Sequence, residues 1–148
     1  MSNQKRKILV TNALPYANGP LHIGHMVEFI QTDIWARFQR LIGNTCHHIS
    51  ADDAHGTPIM LTAKKQGVTP KELIMAIQEE HSKDFRDFLI DYDVYYTTDS
   101  PENETLSCEI YEAAKADDKI KEADVEQYYC EQCTMFLPDR YIKGICPK

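Results

Sequence analysis

Apolar and polar positions follow two rhythms along the chain, and each switch between them marks an element. Lys7 to Leu14 (KILVTNAL) is an apolar, β-branched run that stops where Pro15 forces its predecessor into extended geometry, which predicts a buried strand. Tyr16-Ala17-Asn18-Gly19-Pro20 breaks it. From about Leu21 the apolar residues Met26, Phe29, Ile30, Ile34, Phe38 and Leu41 recur at helical spacing, and Gly43-Asn44 ends the pattern. The order is strand, loop, helix.

That order then repeats. His47 to Ala51 predicts a short strand, Asp52 to Pro58 a polar loop, and Ile59 to Lys65 a helix closed by Gly67. A further helix starts at Pro70 behind a Thr69 cap and carries Leu73, Ile77, His81, Phe85 and Phe88 on one face. Tyr92 to Thr97 predicts a third strand, and Ser100-Pro101-Glu102-Asn103 opens a helix running through Ala116. Alternating strands and helices imply a parallel sheet with helices on its faces, the α/β class whose ligands bind beyond the carboxyl ends of the strands. From Lys119 onward periodicity fades, and Cys130, Cys133 and Cys146 fall in a loop-rich segment that reads as a small metal-binding insert.

Composition narrows the picture. At 148 residues with 43% apolar side chains and only 6 Gly and 7 Pro, the chain is long enough for a cored domain and unlike a disordered or low-complexity one. Its net charge of −7 supplies no footprint for sequence-independent nucleic-acid binding, so an RNA partner would be held by another part of the protein. No stretch approaches the run of about 18 apolar residues a membrane span needs, and Met1 to Lys7 lack an apolar segment behind them. Five cysteines, an odd number, with a Cys130-x-x-Cys133 pair suit metal chemistry in a reducing compartment, and the expected location is the cytosol.

The most informative residues are Pro20-Leu21-His22-Ile23-Gly24-His25, where the first strand hands over to the first helix. Histidines three apart share a helix face, and at a helix start their ring donors join free backbone N–H groups and the positive dipole end to suit a phosphate. Gly24 between them lets a planar base or a ribose approach the backbone. An H-x-x-H pair is also half of a metal site, and a solvated or core-packed pair is commoner than either. The strand, Pro/Gly-broken loop and helix start favour the phosphate.

Thr11 to Met26 (TNALPYANGPLHIGHM) resembles the signature of the class I aminoacyl-tRNA synthetases in its methionyl form, with His22-Ile23-Gly24-His25 matching the family's "HIGH" sequence without departure. The resemblance continues through Ser50-Ala51-Asp52-Asp53-Ala54-His55-Gly56-Thr57-Pro58-Ile59 and Met135-Phe136-Leu137-Pro138-Asp139-Arg140, and so covers nearly the whole chain. It implies a doubly wound, Rossmann-like catalytic domain that activates methionine with ATP and Mg²⁺ to methionyl-adenylate and passes the methionyl group to tRNA(Met). His22, Gly24 and His25 would bind ATP, His22 and His25 stabilising charge on the α-phosphate. Leu14 and Tyr16 at the end of the first strand would line the methionine pocket, and Asp53 at the end of the second would accept the ammonium. Those strands are expected to lie side by side, so that their loops converge.

By itself, an Asp-rich segment containing Gly favours a turn. His47, His48, Asp52, Asp53 and His55 also have the density of a metal cluster, against which stands the alternation that sends His47 and His48 to opposite faces. Tyr16, Trp35 and the Phe29/Phe38 stripe would be packing on residue type alone. Cys46 and Cys108 read as small buried hydrophobes. Cys130-Glu131-Gln132-Cys133 and then Cys146-Pro147-Lys148 look like a zinc knuckle with its fourth ligand beyond the chain end, Cys130 and Cys133 either sharing a metal with Cys146 or belonging to another knuckle. Residues 1–118 are accordingly read as the first half of the catalytic domain and 119–148 as the start of an incomplete zinc-binding connective insert. Such a piece would be inactive alone. A small-molecule nucleotidyltransferase would use the same histidines without the Cys insert or the Asp53 motif, and a non-catalytic zinc module would explain only the last portion of the chain.

Overall fold

The computed structural model describes residues 5–132 and 134–137, apart from the side chain of Met135. The chain divides into two compact units, Met1–Glu104 and Thr105–Lys148. In the first, strands β1 (Lys7–Val10), β2 (Thr45–Asp52) and β3 (Val94–Thr97) form a parallel sheet in the order β1-β2-β3, with helices α1 (Ile23–Leu41), α2 (Thr57–Gln66) and α3 (Pro70–Asp87) in the crossovers. The register sets Leu9 beside His47 and Ile49 beside Val94, so a strand's alternate residues share a face with those of its neighbour.

A sheet that grows in one direction through right-handed crossovers collects its helices on one side. Accordingly Cys46, His48, Ser50 and Asp52 are buried, while Thr45 and His47, pointing the other way, are exposed. The described sheet therefore shows one helix-covered face of a doubly wound arrangement.

Local sequence accounts for the helix starts. Thr69 and Glu72 close a reciprocal capping box around α3, with the Thr69 hydroxyl accepting the Glu72 N–H at 3.2 Å and the Glu72 carboxylate accepting the Thr69 N–H at 2.8 Å. Helix α4 (Pro101–Ala116) begins where the Ser100 hydroxyl accepts the Asn103 N–H at 3.2 Å.

Two apolar clusters fix the carboxyl ends of the strands. Ala17, in the loop between β1 and α1, and Ala54, just after β2, pack with Ile59 and Ala63 of α2 and Leu73, Ile74 and Ile77 of α3. Met26 and Phe29 of α1 meet Phe85 and Ile90, with Tyr92 and Tyr95 packed alongside. Phe85 stands edge-on to Phe29, Tyr92 and Tyr95 at 4.8–5.2 Å, the arrangement that ring quadrupoles favour.

The structure departs from the hydrophobic pattern in several places. Strand β1 stops at Val10 instead of running to Leu14, and its residues are exposed or half-buried, because among the described residues it pairs with β2 alone. On α1 the lower part of the apolar stripe, Ile34, Phe38 and Leu41, is exposed, as is Trp35, whereas Asp33 and Gln39 are buried. Those two polar side chains have partners: Asp33 accepts the Asp91 N–H at 2.9 Å and the Arg37 Nε–H at 2.6 Å, and Gln39 accepts from Asn44 at 2.8 Å. Phe88, one residue past α3, is also exposed, and β3 begins at Val94 rather than Tyr92. Cys46 is buried as expected, but Cys108 lies exposed on α4, none of whose residues is buried.

In the second unit, β4 (Tyr128–Cys130) and β5 (Met135–Leu137) pair antiparallel, and Tyr129 stacks edge-on against Phe136 at 5.1 Å. The sequence carries a knuckle's cysteines there but too few alternating positions to announce the hairpin.

Candidate functional site

Beyond the last ladder bond of β1 and β2, the chain makes one more parallel contact. The Asp53 N–H donates to the Pro15 carbonyl at 2.8 Å and the Ala17 N–H to the Asp53 carbonyl at 2.9 Å, so Tyr16 and Asp53 form an isolated bridge. The two loops thus converge beyond the strand ends, as their side-by-side order anticipated. Asp53 is exposed, and among the described residues its carboxylate has no hydrogen-bond or ion-pair partner. Leu14 is 42% exposed, and Tyr16 packs against the cluster built on Ala17 and Ala54. Gly56, the N-cap of α2, sits at φ +122°, and a Cβ there would lie 2.7 Å from the Tyr16 hydroxyl. A glycine is therefore required twice over, for its backbone angle and for the space the tyrosine occupies.

At the start of α1 the two histidines cap their own helix. His22 Nδ1 accepts the His25 N–H and His25 Nδ1 accepts the His22 N–H, each at 3.3 Å, while the rings stack with centroids 3.6 Å apart and planes 13° from parallel. A backbone N–H can only donate, so both Nδ1 atoms are acceptors and each neutral ring carries its proton on Nε2. Burial first, then the neighbouring His22 and His81, push the His25 ring below the ordinary histidine range. Neutral rings with Nε2–H donors at a positive helix end suit an anion. The backbone N–H groups expected to be free at this helix start are partly used, since those of His22 and His25 serve the cap. A Cβ on Gly24 would come 3.1 Å from Cε1 and Nδ1 of His22, so the glycine also makes room for that ring.

A further cluster went unread in the sequence. His81, on the apolar face of α3, is fully buried, with Nδ1 at 2.7 Å from Asp52 Oδ1 and Nε2 at 3.0 Å from the Gly19 carbonyl oxygen. The Tyr95 hydroxyl donates to the same Asp52 oxygen at 2.6 Å. Burial and the Asp52 carboxylate push the Tyr95 phenol far above its ordinary value, so it stays a donor. A histidine in an apolar helical stripe was the available signal, because a ring placed there needs polar partners.

The metal reading of the Asp/His segment gains no support. His47 and His48 point to opposite faces, His47 exposed and His48 buried, and among the described residues no three His, Cys, Asp or Glu side chains gather as metal ligands. His55 lies near Thr98 and Asp99 instead. Cys130 is half-buried at the end of β4. Cys133 and Cys146 lie outside the described residues, as do Pro138, Asp139 and Arg140.

A parallel sheet with helix-capping histidines after its first strand and an unpaired aspartate after its second has the layout of a class I synthetase catalytic domain. The family described as tRNA synthetases class I (M) matches residues 8–148, and the chain belongs to it. Among curated relatives, the methionine–tRNA ligase of Cupriavidus metallidurans is 60% identical over 143 residues, which cover 97% of this chain and 21% of that protein. The corresponding ligase of Neisseria meningitidis serogroup C is 59% identical over the same share of each chain. This chain thus spans about a fifth of the length of the relatives it matches. Of solved structures, Mycobacterium tuberculosis methionyl-tRNA synthetase in complex with methionyl-adenylate superposes with a TM-score of 0.80 at 24% identity, covering 93% of this chain and 27% of that one. An Agrobacterium radiobacter K84 LeuRS–tRNA–LeuAMS complex also gives 0.80, at 22% identity over 96% of this chain and 18% of that one. The two structures share the fold.

Proposed function

We propose that this chain belongs to an enzyme that activates methionine with ATP to methionyl-adenylate and transfers the methionyl group to tRNA(Met). The observation that carries this reading is the 60% identity to a methionine–tRNA ligase across nearly the whole chain. In this reading the Nε2–H groups of His22 and His25 face the α-phosphate of ATP, which arrives with Mg²⁺, and Gly24 leaves the backbone open beside them. Donors held ready where charge develops are the main source of acceleration in nucleotidyl transfer, and the capping box holds these. Asp53 takes the methionine ammonium, and Leu14 and Tyr16 line the side-chain pocket, where a soft apolar wall suits a thioether.

Residues 1–118 form part of the catalytic domain in this proposal, and 119–148 open a connective insert. Three soft thiolate donors at knuckle spacing, Cys130, Cys133 and Cys146, suit zinc, with a fourth ligand supplied from elsewhere in the intact protein. Thiolate ligands favour a reducing compartment, which the cytosol provides. No helix among the described residues is long and apolar enough to cross a membrane. The tRNA would be held by other parts of the protein, since this chain carries a net charge of −7.

The test is methionine-dependent ATP–pyrophosphate exchange by the intact protein, with leucine and isoleucine as controls. Exchange specific to methionine is expected, and exchange driven equally by all three would overturn the assignment.

A further inference from the structure

The His81 side chain joins the loop before the stacked histidines to the end of β2. Its Nδ1 lies 2.7 Å from Asp52 Oδ1, and its Nε2 lies 3.0 Å from the Gly19 carbonyl, three residues before His22. A carbonyl oxygen accepts only, and Asp52 Oδ1 already accepts a hydrogen bond from the Tyr95 hydroxyl at 2.6 Å, which suits a carboxylate better than a carboxylic acid. Both ring nitrogens therefore carry protons, and the ring is an imidazolium paired with a buried carboxylate. Both side chains are withdrawn from solvent, at 0% and 1% exposure, so the pair has the fixed geometry of a core contact.

We infer that His81 is a positioning residue that holds the Gly19 end of the histidine loop in register with the Asp52–Asp53 end of β2, and so sets the phosphate-facing and ammonium-facing groups relative to each other. This inference rests on the proposed methionine activation for its kinetic consequence, but the tether itself does not. The groups facing the ring are the Asp52 carboxylate from β2, the Tyr95 hydroxyl from β3 and the Gly19 carbonyl, with Glu80 beside it on α3 and His25 on α1 within reach of its charge. Burial alone would push the ring down, but the bonds to Asp52 and Gly19 and the carboxylate's charge outweigh it and hold the ring above the ordinary histidine range. The resulting cation is one of the influences that keep His25 neutral.

Two neutral isosteres separate the two bonds. In His81→Asn the amide nitrogen can take the place of Nδ1 and keep Asp52, but nothing reaches Gly19. In His81→Gln the amide nitrogen can reach the place of Nε2 and keep Gly19. Both lose the charge and each gives up the bond the other keeps, so the difference between them reports whether the loop depends on the Gly19 bond more than on the Asp52 bond. In the intact protein, His81→Asn should speed amide hydrogen exchange across residues 17–26 and slow methionine-dependent ATP–pyrophosphate exchange, each about tenfold, with the methionine dissociation constant changed less than about twofold. His81→Gln should recover most of both losses.

Equal losses in the two variants, or a lowered melting temperature with unchanged loop exchange, would overturn the tether. A parent protein without methionine-dependent exchange would instead sink the proposed activity, while loop exchange would still decide the role of His81. Should His81→Asn fail to fold, nitrogen NMR of the parent decides: two slowly exchanging ring N–H protons on His81 at pH 7 support the tether, and a single one overturns it.

Discussion

The rings of His22 and His25 stack 3.6 Å apart while each accepts the other's backbone N–H, so the pair holds itself in place. One residue pair thereby serves two ends. Each ring's Nδ1 completes the helix cap, and its Nε2–H remains for a ligand, so truncating either ring to alanine removes a structural bond and a ligand donor together.

The two roles can be separated. His22→Ala should slow adenylate formation about a hundredfold or more, in line with the loss of a prearranged donor, and should also cost about 0.5–2 kcal/mol of stability through the lost cap. His22→Asn keeps a good capping side chain but offers no donor at the Nε2 position. It is expected to be nearly as slow as His22→Ala and nearly as stable as the parent, with little change in methionine affinity. Single-turnover adenylate formation and thermal melting check this, and an asparagine variant with parental rates would mean the rings serve only the helix.

The Asp53 carboxylate is exposed with no partner among the described residues, whereas the adjacent Asp52 is buried and holds His81 and Tyr95 through Oδ1. Asp53→Ala should therefore leave the fold intact and weaken methionine binding by roughly 1.5–3 kcal/mol, the usual worth of a charge-assisted bond. ATP affinity should hardly move. Equilibrium titration of both ligands tests this, and equal losses for the two would show that Asp53 does not meet the ammonium.

Gly56 and Tyr16 offer a paired test of the pocket wall. Gly56→Ala places a Cβ 2.7 Å from the tyrosine hydroxyl at φ +122°, so it should destabilise the protein and weaken methionine binding. Adding Tyr16→Phe removes the clashing oxygen but leaves the backbone strain, of order 1–3 kcal/mol. The double variant is expected to be more stable than Gly56→Ala alone, as measured by urea unfolding. Additive losses would show that the hydroxyl is not what the new methyl meets.

Two buried histidines set opposite pH limits. His48 packs tilted against Tyr92, with Asp33 Oδ1 3.9 Å from its Nδ1 and, among the described residues, no side-chain hydrogen bond from either ring nitrogen, and burial outweighs the neighbouring Asp91 and Asp33 to push its ring below the ordinary value of 6.5. Its contribution to stability is present above 6.5, the unfolded value, and is lost as the pH falls from there toward the folded value. His81 is raised, so its contribution is complete below 6.5 and is lost as the pH rises through the folded value. Urea unfolding at pH 5.5, 6.5 and 8 should show His48→Leu flattening the acid side and His81→Gln the alkaline side. The opposite pairing would reverse both assignments.

Much of this was legible in the sequence because it depends on local chemistry. Thr69 with Glu72 starts a helix, Gly67 closes one, and the alternation of strand with helix leaves a parallel sheet as the economical solution. The candidate ligand residues were legible too, through motifs whose residue types and order match the family. What the sequence did not reveal lies in contacts between distant positions. Nothing local tells that Ile34 and Phe38 stay exposed while Asp33 goes inside, since that depends on an Asp91 N–H 58 residues away. The spacing of His22 and His25 suggested a shared face but not a reciprocal cap, which requires both rings to turn back on the helix start. The tie from His81 to Gly19 spans 62 residues, and it exists because α3 packs against Ala17 and Ala54 in the segments that follow β1 and β2. The sequence by itself determined the elements and the chemical groups near the strand ends. Tertiary structure decided which of two adjacent aspartates is buried and which is free, because the pleat sends neighbours to opposite sides and only the helix-covered side has His81 and Tyr95 waiting.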